Sequence, residues 1–200
     1  MRVLKGWPVY LGAGLGLVVL QTLLIIGDPI AEVGWGFGLR VLASFLVVVL
    51  AVSAVVAAAT DAAAGEPAAV RRPTMLFWVA GFGLLAIGAA VLSPWLVSVV
   101  LLLGVMVLPA VAVAAPVGSA FRAIGRVPLR AVLAVLGFVL LAVISWVLAL
   151  MLGFFVTGLA GAALTWLWFG LLLVLVQRWW CGIYHRGSAV ANRDVTAVDA

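Results

Sequence analysis

GSAFRAIGRVPLR (118–130), followed directly by AVLAVLGFVLLAVISWVLALMLGF (131–154), decides the fold. The first segment carries Arg122, Arg126 and Arg130; the second holds no Asp, Glu, Lys, Arg or His. A helix needs about 20 apolar residues to cross the hydrocarbon of a bilayer. The second segment is long enough, and it lacks the strict alternation of a barrel strand. Backbone groups in lipid must bond internally, so a helix is the expected form. A basic loop abutting such a run is the pattern of a span with its cytoplasmic flank.

Working outward, five further runs satisfy the same length test. The six expected spans are 10–26, 39–59, 74–92, 96–115, 131–154 and 158–177. Their breaks carry turn and helix-start residues: Gly27-Asp28-Pro29, Pro73, Ser93-Pro94-Trp95, Pro116, and the glycines 153, 158 and 161. Loop lengths group the helices into three hairpins. The expectation is an all-α integral membrane protein, a single six-helix domain over 1–186 with a loose polar tail over 187–200. Composition agrees. Hydrophobic residues make up 68 % of the 200 and charged residues 8 %, against roughly half and a quarter in soluble domains. A soluble core of this size cannot hide that much apolar surface. Soluble enzyme, disulfide-rich module and disordered tail are excluded.

Orientation follows from the bases. With both termini in the cytoplasm, Arg2, Lys5, Arg71, Arg72, Arg122, Arg126, Arg130, Arg178, Arg186 and Arg193 fall inside. Only Arg40 falls outside, in the company of Asp28 and Glu32. This asymmetry predicts an N-in, C-in plasma-membrane protein. It also explains the net charge of +5 better than a nucleic-acid partner would. Trp7, Trp179, Trp180 and Tyr184 fall at the inner interface and Trp35 and Trp95 at the outer one, where amphipathic rings settle. Trp146, Trp166 and Trp168 lie deeper and are expected to pack between helices. The first run follows basic residues as a signal peptide does, but Pro29-Ile30-Ala31 is a poor cleavage pattern, so it is read as a span.

The chemistry-bearing residues are few. Ionisable groups inside a bilayer are costly and mark pathways, and the central turns of the spans have none. One cysteine, Cys181, allows no intrachain disulfide; one histidine, His185, makes a protein-only metal site improbable. Cys181 lies beside Trp179-Trp180, as an idle thiol or an acylation site. Ser119, Ser145 and His185 form no nucleophile-and-base pattern. No catalytic residue, metal or cofactor is expected. Arg40, at the outer start of the second span, reads as a side chain snorkelling to headgroups or as a contact for an outer anion. Arg122, Arg126 and Arg130 recur every four residues, one helix face, with Pro128 limiting the helix to its first part. They are candidates for lipid headgroups or for docking a cytoplasmic partner. Pro109 removes a backbone donor within the fourth span, and a kink is expected there. Gly12 and Gly16 form a GxxxG pair suited to close helix packing.

The stretch Ala57-Ala-Ala-Thr-Asp-Ala-Ala-Ala-Gly-Glu-Pro67, with Val70-Arg-Arg72, resembles the loop after the first hairpin in the YciC-like and DUF4013-like six-span membrane proteins. That group includes the membrane domain attached to some glycerophosphodiester phosphodiesterases. Ala120-Phe-Arg-Ala-Ile-Gly-Arg126 is similar to the group's second inner loop, although Pro116-Val-Gly stands where the group often has an acidic residue. The resemblance implies a fold and no activity. Two functions are in view. One is a non-enzymatic accessory or scaffold subunit acting through helix packing and lipid contact. The other is a transporter permease subunit whose loop 118–130 docks a cytoplasmic energy-coupling protein.

Overall fold

The computed structural model describes residues 7–26, 34–64, 72–156 and 158–198. Among these there is no strand. The helices are α1 (Trp7–Ile25), α2 (Trp35–Ala64), α3 (Arg72–Leu92), α4 (Pro94–Ala112), α5 (Val117–Gly125), α6 (Pro128–Phe155) and α7 (Gly158–Val198). All but α5 are long and apolar enough to cross a membrane. Their outward faces stay apolar: Leu15, Val91, Leu92 and Leu140 are all exposed. In the most apolar window of α3, only 11 % of residues are buried inside the protein. Such helices are at home in hydrocarbon and not in water.

The boundaries follow local chemistry. Ser93 is extended (φ −166°, ψ 134°) and Pro94 takes the first helical position of α4, where its missing N–H costs nothing. Between α6 and α7 the chain turns at Gly158, whose φ of 73° suits glycine. Two helices run well past the expected spans. α2 starts at Trp35 and reaches Ala64 rather than spanning 39–59. α7 does not stop at Gln177; helix continues to Val198, into the stretch over 187–200 expected as a loose tail. Hydropathy falls after Gln177, but no proline follows, and the isolated Gly182 and Gly187 weaken a helix without ending it.

The packed core sits toward one end of the bundle. Val49 and Val56 of α2 meet Met75 and Val79 of α3 and Val107, Leu108 and Val111 of α4. Tyr10 of α1 joins Val55, Ala58 and Ala59 of α2 and Cys181 of α7. Ala134 of α6 packs with Val176, Trp180 and Ile183 of α7. These contacts put the start of α1, α3 and α6 beside the ends of α2 and α4 and the middle of α7. Arg122, Arg126, Arg130, Arg178 and Arg186 all lie there, and we call it the basic end. Arg40 lies in the second turn of α2, at the opposite end.

α4 runs through Pro109, which is fully buried, and stops one turn later. The stop is a Schellman closure: Ala115 N–H donates to Ala110 C=O at 2.9 Å and Ala114 N–H to Val111 C=O at 3.0 Å. Glycine normally fills the left-handed position of that motif. Here it is Ala114, with φ 56°. Alanine is strained there by about 1 kcal/mol. Ala114→Gly therefore raises stability by about 1 kcal/mol, read as a higher midpoint in detergent thermal unfolding; an unchanged or lower midpoint refutes the closure.

Candidate functional site

The extension of α7 beyond the apolar run organises the basic end. Its residues Tyr184 and Gly187 form a shelf, and α5 lies on it. Ala120 and Ala123 of α5 are buried against Tyr184 and Ala110. Ser119 Oγ and Tyr184 Oη share a hydrogen bond of 3.3 Å. A Cβ at Gly187 would run into the backbone of Ala123, so only glycine lets the two helices touch there. Alanines, not aromatic rings, are the buried face of α5; Phe121 is exposed.

The arginine series divides. Arg122 is on α5, Arg126 is its C-terminal cap, and Arg130 is in the first turn of α6 after Val127 breaks the helix (φ −128°, ψ 56°). All three are exposed. Arg122 and Arg126 remain on the outer side of α5. Arg130 instead joins Arg178 and Arg186 of α7, which stand eight residues apart on one helix face.

Those three arginines rim one end of a groove of about 770 Å³ between α1, α6 and α7. Its walls are leucines, Leu11, Leu15, Leu141, Leu167, Leu171 and Leu175 among them, and Trp7 and Trp179 stand beside the arginines. The Arg178 guanidinium lies 5.5 Å from the centre of the Tyr10 ring, a cation–π arrangement that holds it. The floor is closed where α1 and α7 approach at Gly14 and Gly170; a Cβ on Gly170 would lie 3.6 Å from Gly14 Cα. The expected pair, Gly12 and Gly16, is not at this contact: a Cβ on either meets nothing within 4 Å. The buried face of α1 runs through Tyr10, Leu17 and Gln21. Gly14 belongs to that face, and Gly12 lies roughly 200° round the helix from it.

Some polar side chains of the long helices bond across to a neighbouring helix, while Tyr10 Oη, Thr22 Oγ1, Gln177 Oε1, Trp180 Nε1 and His185 Nε2 are buried with no hydrogen-bond partner among the described residues. Gln21 Nε2 donates to Ser44 C=O (3.0 Å), and Ser44 Oγ donates to Gln21 Oε1 (2.8 Å), tying α1 to α2. Trp168 Nε1 donates to Ser145 Oγ at 2.9 Å, tying α7 to α6. Thr60 and Cys181 are in contact at 3.6 Å, between α2 and α7. The thiol is fully buried, so the acyl-acceptor reading loses its surface position. His185 stacks edge-on with Tyr184 and faces neither Ser119 nor Ser145 as a base. Among the described residues no three His, Cys, Asp or Glu gather as a metal site. Arg40 is half-buried on α2; Asp28 and Glu32, its expected company, lie outside the described residues.

Comparison with known proteins found no matching family model, no matching curated protein and no matching solved structure.

Sequence reasoning missed Gln21, Gly14, Gly187 and the pairing of Arg130 with Arg178 and Arg186. The last had a signal, the Arg178-x₃-Gly182-x₃-Arg186 spacing, hidden by ending the sixth span at Gln177. Gly187→Val tests the shelf. It should cost about 1–3 kcal/mol, as overpacking does, and speed tryptic cleavage after Arg122 and Arg126. Cleavage at the unaltered rate would show that α5 does not depend on this contact.

Proposed function

We propose that this chain is a non-enzymatic, multi-pass protein of the plasma (inner) membrane, with three helical hairpins and both termini in the cytoplasm. It serves as an accessory or scaffold subunit through helix packing and lipid contact. One observation carries this reading: Gln21 with Ser44 and Trp168 with Ser145 bond across helix pairs, while Ser53, Thr60 and Thr165 bond carbonyls of their own helices. Side chains used in that way hold helices together and are not set out toward a substrate. The gathering of arginines at one end supports the cytoplasmic assignment of that end. The likeness of the two inner loops to those of YciC-like and DUF4013-like proteins fits the same arrangement.

A second reading is favoured by α5. Phe121 and Arg122 project from a short helix seated firmly on α7. A permease subunit would use such a knob to dock a cytoplasmic energy-coupling protein.

Two measurements test these readings. With Cys181 replaced by alanine, a cysteine at Gly34 should label from outside intact cells, and one at Ser188 only after permeabilisation. The reverse pattern removes the orientation. In mild detergent the chain should copurify with membrane proteins irrespective of Arg122→Glu with Arg126→Glu. Recovery of a stoichiometric ATPase that this double substitution abolishes would replace the scaffold reading with the permease one.

A further inference from the structure

We propose that the groove between α1, α6 and α7 binds one anionic phospholipid, its phosphate at Arg130, Arg178 and Arg186 and its acyl chains along the leucine walls. The proposal deepens the lipid contact in the scaffold reading and rests on the membrane placement, but not on which end is cytoplasmic.

Chemistry at the two ends of the groove differs in the way an amphiphile differs. The far part is lined by Leu15, Leu141, Leu167 and Leu171. The near part is lined by three guanidiniums from two helices. Among the described residues no carboxylate lines it; Asp61 lies nearby, close enough to influence Tyr10, but outside the groove. Guanidinium presents a planar fork of N–H donors that matches phosphate oxygens in pairs. Arg178 is already positioned over Tyr10, so less side-chain freedom is lost on binding. Trp7 and Trp179, both partly exposed, stand where a lipid glycerol backbone would lie.

Length decides between a lipid and a partner helix. Arg178 is eleven residues beyond Leu167 on α7, or about 16 Å at the rise of an α-helix. One leaflet contributes about 15 Å of hydrocarbon. The apolar part of the groove, short of Arg178, therefore matches the acyl chains of one leaflet; the basic part continues about two turns further along α7 to Arg186. A transmembrane helix of a partner needs about twice that run.

Arg122 and Arg126 provide the control, because they are equally basic and exposed at the same end but lie off the groove. The test is native mass spectrometry of the full chain in detergent, with dioleoyl phosphatidylglycerol or dioleoyl phosphatidylcholine added at equal concentration. One phosphatidylglycerol should be retained in preference to phosphatidylcholine by about tenfold, as a few arginines at an anionic headgroup give. Arg130→Gln with Arg178→Gln and Arg186→Gln should remove the preference, and Arg122→Gln with Arg126→Gln should leave it. Should the triple variant not be monodisperse, Arg186→Gln alone, at an exposed site, should weaken it. Leu171→Trp, which fills the apolar part, should reduce retention of both lipids. Glycerol 3-phosphate, the headgroup without chains, should not displace the lipid. Equal retention of the two lipids, equal loss in the control variant, or full displacement by glycerol 3-phosphate overturns the proposal. None of these outcomes alters the cysteine-labelling or copurification results, so the failure of one reading is told apart from the failure of the other.

Discussion

A guanidinium costs several kcal/mol at the middle of a bilayer, and a helix backbone satisfies itself there without help. Those two facts set the arrangement of this molecule. Long apolar helices need no polar partner along their length, so they leave Leu15, Leu140 and Val91 facing outward. The arginines cannot lie along the spans and collect where the helices emerge. The packed clusters bring the segment after α4, the first turns of α6 and the middle of α7 to the same level. Arg122, Arg126, Arg130, Arg178 and Arg186 come together there through exclusion from hydrocarbon. Their partition into α5's outer side and the groove rim follows from where α5 ends.

Lipid gives apolar helices little reason to prefer one another over acyl chains, so close approach has to do the work that hydrophobic burial does in water. α7 supplies most of it. It enters three of the four packed clusters and touches its neighbours at places where one partner is small. Gly170 meets Gly14 of α1, Trp179 lies against Gly137 of α6, and Gly187 meets the backbone of α5. α7 continues as helix beyond its apolar run, and there it gives α5 a seat at Tyr184 and Gly187. The paired polar groups at Gln21–Ser44 and Trp168–Ser145 add direction. In membranes each such bond contributes about 0.6 kcal/mol on average.

The spans were legible because the signal is long. Six runs of about 20 apolar residues leave little freedom in reading them, and the breaks at Ser93-Pro94 and Gly158 fall where the backbone needs them. Pro128 was legible as the end of α5's reach, and it begins α6. Helix beyond the spans was not legible. The Gln177–Val198 segment is polar enough to look like a tail, and what keeps it helical within Trp180–Gly187 is packing against Ala134, Ala120 and Ala123, which no local pattern reports. The same holds for glycines. Twenty-two of them offer many small-xxx-small pairs, and only the partner helix determines that Gly14 faces a neighbour while Gly12 faces outward. The three arginines of the groove rim stand at 130, 178 and 186, and no local pattern reports that α6 and α7 bring them to one groove.

α6 shows how unevenly the association is distributed. Its buried residues are Ala131 and Ala134, both within the first two turns. Above them, Gly137 accepts the Trp179 ring and Ser145 accepts the Trp168 N–H. Phe138 and Leu141 are partly buried against the same cluster, while an outward face that includes Leu140, Leu150 and Phe155 is exposed. Beyond that packing, one hydrogen bond of about 0.6–1.7 kcal/mol adds to what fixes the upper half of α6 against α7. Leu141, one wall of the groove, lies at the middle of α6, and Arg130 sits in its first turn beside the buried Ala131. Core packing therefore reaches from the basic rim to the apolar wall at Leu141, and the Ser145–Trp168 hydrogen bond extends the association one turn beyond it.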